Sequence, residues 1–231
     1  MWRSIALALL MLSGIAAQAD AQERKLIVVE LFTSQSCSSC PPADAFLHEL
    51  AGRNDVLALG LHVDYWDYIG WKDTFGQHAF SERQRAYAKV GGRRSVYTPQ
   101  MIVNGEQHVV GNHPKEVNAL IKLHQSQPER ARIEVRRDGG RVQIAAQAEG
   151  NGQAAVLLVS YMSNGVANIH KGENEGKELN YANIVTDIKV LEIWDMKRPL
   201  ELSARAPDAE NLAVVLQSRG HGPILAAARV K

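Results

Sequence analysis

Residues 26–32 form a continuous apolar, β-branched run broken only by Glu30, the pattern of a strand buried in the middle of a sheet. From Pro41 onward, Ala43, Phe46, Leu47, Leu50 and Ala51 recur at the spacing of one helical face, and Gly52 stands where that helix should stop. A second apolar run over residues 56–63 completes a βαβ unit with a parallel strand pair. The stretch from His62 to Trp71 mixes aromatics and acids without a period, and reads as a structured loop. Ser81-Glu-Arg-Gln84 fits a capping box at a helix start with Phe80 ahead of it, and Gly91-Gly92 closes that helix. Thr98-Pro99 then precedes a strand over 100–103, a two-residue Asn104-Gly105 hairpin turn and a partner strand over 107–110. Pro114 suits the first turn of a closing helix, capped by Asn112 or His113, whose apolar positions are Val117, Leu120 and Ile121.

Beyond Pro128 the pattern changes to strand-like runs at 133–137, 142–146, 154–162, 184–190, 212–217 and 224–230. Asp138-Gly139-Gly140 and Asn151-Gly152 punctuate them, and no long amphipathic helix intervenes. A β-rich, sandwich-like C-terminal module is the economical reading. It holds one long polar loop from His170 to Glu178, either a binding loop or, more simply, solvated surface.

The chain therefore divides into a signal peptide over 1–21, an α/β domain over 22–126 and a β-rich domain over 127–231. Arg3, an apolar stretch over 5–17 and the small-x-small steps at Ala17 to Ala21 carry the first assignment. A retained anchor is the rival, but the stretch is shorter than the roughly 20 residues a spanning helix needs. Periplasmic or secreted localisation follows, with no stable membrane insertion after cleavage. Lys plus Arg number 26 against 25 for Asp plus Glu, so no global basic field draws in nucleic acid. Oligomeric state is not legible from these features.

Two cysteines are too few for a disulfide-stapled scaffold, and a chain of 231 residues buries ordinary cores without one. They stand as Cys37-Ser-Ser-Cys40, between the first strand and the first helix, in a chain expected in an oxidising compartment. A helix N-terminus or a C-x-x-C pairing lowers a thiol pKa from about 8.5 to roughly 3.5–7.5, enough to make thiolate near neutral pH. Glu30 is a carboxyl within a buried strand: either a protonated relay to Cys40 or an edge-facing, solvated acid. The histidines are dispersed, with no H-x-x-x-H and no second C-x-x-C, so structural zinc has little support. No cofactor beyond the dithiol is expected.

The order β, C-x-x-C, α, β, α, Thr-Pro, β, β, α resembles the thioredoxin superfamily over roughly residues 25–126, giving an α/β thioredoxin-like domain (βαβ–α–ββα) followed by the β-rich module. The segments Glu30 to Asp44, His62 to Trp71 and Tyr97 to Met101 are more narrowly similar to an uncharacterised family of secreted bacterial thioredoxin-like proteins. The resemblance implies that Cys37 is the attacking nucleophile and that Cys40 resolves the mixed disulfide. It implies a cis Pro99 facing the pair, with the Thr98 backbone pairing a client segment as an added strand. Asp64, Trp66, Asp67 and Trp71, beyond the second strand, either line a client groove or pack against the second module. The expected activity is thiol-disulfide exchange with exported protein thiols, small thiols or a redox partner protein. A copper-handling chaperone binding Cu(I) through Cys37 and Cys40, a binding module with a static disulfide, and a peroxidase are the alternatives.

Overall fold

The computed structural model describes residues 25–148 and 150–231, and the expected signal peptide lies outside them. β1 (Ile27–Thr33) is buried along its whole length and pairs in parallel with β2 (Val56–His62), which sets Thr33 beside His62. α1 (Pro41–Ala51) links them, then come α2 (His78–Val90), β3 (Gln100–Val103), β4 (Gln107–Val110) and α3 (Pro114–Ser126). This is the element order that the apolar periodicity predicts. Ala43, Phe46, Leu47 and Leu50 of α1, with Val117 and Ile121 of α3, cover Ile27, Val29 and Leu31 on one face of β1. Phe80 and Tyr87 of α2 lie on the other face with Val28 and Phe32.

Three local expectations are corrected. α2 begins at His78, ahead of Ser81, so the predicted capping box lies inside the helix. Its polar groups serve tertiary partners instead: the Ser81 hydroxyl donates to Asp64 Oδ1, and Gln84 Nε2 donates to the Tyr97 carbonyl and to Gln100 Oε1, both at 2.8 Å. At α3 the capping residue is His113, but no side-chain cap bond forms. The hairpin turn spans Asn104, Gly105 and Glu106 rather than two residues, with Val103 paired to Gln107. Asn104 and Gly105 both take positive φ, 52° and 72°, the conformation that Asn and Gly adopt most readily.

The remaining strands are β5 (Ala131–Asp138), β6 (Arg141–Ala148), β7 (Ala154–Asn168), β8 (Glu178–Trp194), β9 (Leu200–Arg205), β10 (Asn211–Ser218) and β11 (Ile224–Arg229). β9, with its short Leu-Glu-Leu-Ser-Ala-Arg alternation, is not among the predicted runs. Four of the seven join the first half in one eight-stranded sheet, ordered β11-β10-β7-β8-β2-β1-β3-β4. β8 meets β2 in parallel where Ile184 pairs Gly60. The expected boundary at 126/127 falls between α3 and β5, and the sheet runs across it.

The separate sheet β5-β6-β9 lays Val142, Ile144 and Ala146 over Val156, Leu158, Val214 and Leu216 of β7 and β10, a sandwich-like packing. At the sheet's far end, Ile224 N–H donates to the Asn104 carbonyl at 2.9 Å and Asn104 Nδ2 returns a bond to Ile224 O at 3.1 Å. The strand-rich sheet thus bends back on itself around the α2 core. The fold is mixed α/β, an α/β part continued by a β-rich part. No described helix is long and apolar enough to cross a membrane.

Candidate functional site

Cys37 and Cys40 are joined in a disulfide, Cα to Cα 5.4 Å, in the tight turn between β1 and α1. Cys40 is the residue that caps α1, so Cys37 stands a turn before the helix rather than at its first residue. The prolines at the next two positions have no N–H to leave unpaired. The first available amides, Ala43 and Asp44, donate to the Cys40 carbonyl at 2.8 and 3.1 Å. Cys37 is 3% exposed and Cys40 0%, while Ser38 and Ser39 are exposed.

The cover over Cys37 comes from the far end of the chain. β7 and β8 extend beyond their neighbours as a long hairpin, whose connection is the polar loop from His170 to Lys177. Asn174 is fully buried there, and its Nδ2 donates to the carbonyls of Gln35 at 2.9 Å and Cys37 at 3.0 Å. Lys177 Nζ holds the amide oxygen at 2.8 Å, and Glu173 Oε2 accepts the Ser38 N–H at 3.3 Å. His170 meets the edge of Trp71, whose indole N–H donates to Gln35 Oε1 at 2.8 Å. The simpler reading of this loop as solvated surface is therefore corrected: it is a strap over the cysteine turn. Asn174→Ala removes both hydrogen bonds that the strap donates to the cysteine turn, and is expected to speed reduction of the disulfide by dithiothreitol on the order of tenfold. Equal rates in stopped-flow would mean that the strap does not limit access.

The Thr98–Pro99 bond is cis, as expected. Pro99 and Ala43 would both be met by a side chain at Gly111, which locates the proline beside the start of α1. Trp66 Nε1 donates to Thr98 Oγ1 at 2.7 Å, so these two predicted binding residues are brought together, with Tyr68 stacked on Trp66 and 79% exposed. Asp64 is turned away to α2, where it accepts from the Ser81 hydroxyl and pairs with His78 Nδ1 at 3.0 Å.

Glu30 does not face the cysteines. It alternates with Val28 and Phe32 on the α2 side of β1, whereas α1 covers the opposite face. Arg83 grips both its oxygens, Nε to Oε1 at 2.7 Å and Nη2 to Oε2 at 3.1 Å, and the Tyr87 hydroxyl donates to it as well. Both readings of Glu30, relay and solvated acid, give way to that of a buried structural ion pair.

The acid on the cysteine side is Asp44, one turn along α1 from Cys40 and on the same buried face. Neither of its oxygens has a hydrogen-bond partner; the Thr33 hydroxyl stands near without closing a bond. Burial pushes its pKa up to about 7, with His62 and Thr33 pulling it down and Asp73 adding to the rise. Sequence reading missed it, although Cys40, Asp44 and Leu47 lie at i, i+4 and i+7. Among the described residues, no group of three or more His, Cys, Asp or Glu side chains converges as a metal site would.

The chain is similar to protein AGR_C_4864 from Agrobacterium tumefaciens, at 33% identity and a TM-score of 0.80, over 90% of this chain and 95% of that one. It is also similar to HBP35 of Porphyromonas gingivalis, at 14% identity and a TM-score of 0.60 over 89% of this chain and 74% of that one, a likeness of fold alone. No match is found among curated proteins. With residues 28–217 matched, the chain belongs to the family described as proteins of unknown function, DUF1223.

Proposed function

We propose that the chain is an exported thiol-disulfide oxidoreductase with a thioredoxin-like site, acting on protein or small-molecule thiols. The observation that supports it best is the Cys37–Cys40 disulfide at a strand-to-helix turn, with the unpartnered carboxyl of Asp44 one turn below Cys40. Two-electron exchange at such a pair needs an attackable sulfur, a leaving sulfur and a group that handles the proton. Cys37, nearer the surface, is the sulfur a client thiolate attacks. Cys40 is the leaving sulfur, and Asp44 rather than Glu30 handles its proton. Trp66, Thr98 and Pro99 form the client ledge.

Titration of the mature protein in glutathione buffers tests this. A reduction potential between about −270 and −120 mV, the range of catalytic dithiols, is expected. A value below about −300 mV identifies a static structural disulfide and overturns the proposal. Cys40→Ser then retains its clients as mixed disulfides on Cys37, which mass spectrometry identifies.

A further inference from the structure

Around the Asp44 carboxyl lies a set of further buried polar atoms, on β1, β2 and β8, that have no part in the exchange reaction as described above. A side chain at Gly60 would meet Leu47 Cδ2, so α1 packs directly on β2 at that point. One turn back along the helix is Asp44, and two residues on along the strand, on the same face, is His62. Thr33 is the in-register neighbour of His62, and the Tyr181 ring meets the histidine edge-on with centroids 4.6 Å apart. Thr33 Oγ1, both oxygens of Asp44, His62 Nε2 and the Tyr181 hydroxyl are all buried without a hydrogen-bond partner.

Asp73, by contrast, is saturated. Its Oδ2 accepts the Gln35 N–H and lies 2.8 Å from His62 Nδ1, and its Oδ1 accepts the Phe75 N–H at 2.8 Å. Two backbone amides can only donate, so both Asp73 oxygens serve as acceptors. With Asp73 Oδ2 as the acceptor, His62 Nδ1 is the donor in the bond between them. This leaves His62 Nε2 and the two Asp44 oxygens as buried, unpartnered atoms on the facing sides of helix and strand. Burial raises the pKa of Tyr181, which keeps its hydroxyl neutral. The other charged groups nearby sit outside this core: Glu173 and Lys177 are exposed on the strap, and Asp67 faces the Asp73 amide.

We infer that His62, locked through Nδ1 on Asp73, is the positioning residue that sets the protonation of Asp44 and so governs proton transfer at Cys40. The inference rests on the oxidoreductase reading. A client thiolate attacks Cys37 Sγ, the Cys37–Cys40 bond breaks, and its electron pair leaves on Cys40 Sγ. Asp44 gives that sulfur its proton, and the carboxylate formed faces His62. The client's second thiol, as thiolate, then displaces Cys37, so two electrons pass from the client dithiol to the pair. In reverse, Asp44 takes the proton from Cys40 as its sulfur closes on Cys37.

The test follows the carboxyl carbon of Asp44 and the ring of His62 by NMR across pH 5–9 in the oxidised mature chain, beside the pH profile of dithiothreitol exchange. In the native chain, each resonance is expected to report the titration of the other. In His62→Gln, which keeps a polar side chain but does not titrate, the Asp44 midpoint and the exchange inflection both move up by about one pH unit or more, because the downward pull of the histidine on the Asp44 carboxyl is lost. If that variant does not fold, the cross-reporting in the native chain decides. Independent titrations in a chain that exchanges disulfides overturn the role of His62 alone. Coupled titrations in a chain that exchanges none overturn the oxidoreductase reading, and the role at Cys40 with it.

Discussion

Arg83→Ala is expected to destabilise the protein by about 3–5 kcal/mol, the usual consequence of removing one partner from a buried ion pair. The loss is large because Glu30 is 1% exposed and has no water to turn to once the guanidinium is gone. The same Arg83 Nη2 also donates to Gln217 Oε1 at 3.0 Å, and Gln217 Nε2 donates to the Tyr87 hydroxyl at 2.9 Å. Arg83 thus ties α2, β1 and β10 together, joining the α/β part to the β-rich part. Folded domains are stable by only about 5–15 kcal/mol, so much of that margin would go. Urea unfolding at fixed pH measures it, and a loss under about 1 kcal/mol would mean the network holds little. Replacing both charges by apolar residues, Glu30→Leu with Arg83→Met, should recover most of the loss.

Glu30 also shows where sequence reading stops. The run Ile27 to Thr33 is buried on both faces, so no alternation of polar and apolar residues marks which side is which. Existence of the strand was legible; the direction of its one acid was not. That direction is decided by which helix covers which face, a tertiary fact. The βαβ order, the Asn104-Gly105 turn and the cysteine turn were legible because each rests on local spacing. The strap was not, since the Asn174 amide finds its acceptor carbonyls on Gln35 and Cys37, far away along the chain. Within a polar stretch, one buried asparagine looks like its exposed neighbours. Ser81 and Gln84 failed the opposite way: their local pattern fits a cap, and distant partners on the aromatic loop and β3 took both side chains.

Asp44→Asn is expected to abolish a loss of stability that the native chain suffers as pH rises from about 4 to about 7. The native carboxyl, held up to about 7 by burial from its ordinary 3.8, binds its proton more tightly folded than unfolded. Between those values the folded chain carries more protons than the unfolded one, so stability falls as pH climbs. The contribution is complete below about 4 and gone above about 7, and at 1.36 kcal/mol per unit it amounts to at most about 4 kcal/mol. Asparagine fills nearly the same space without a charge to desolvate. The two unfolding curves should therefore nearly coincide below about pH 4, part progressively up to about pH 7 and run parallel above it, with the variant more stable at the higher pH. The other titrating groups are common to both chains and cancel in the difference, apart from His62, Asp73 and Tyr181, which feel the Asp44 charge directly. Parallel curves from about pH 4 to about pH 7 would mean that Asp44 is ionised throughout. A carboxylate that never holds a proton near neutral pH has none to give to Cys40, so this stability measurement, made without any client thiol, also tests the proton-handling step.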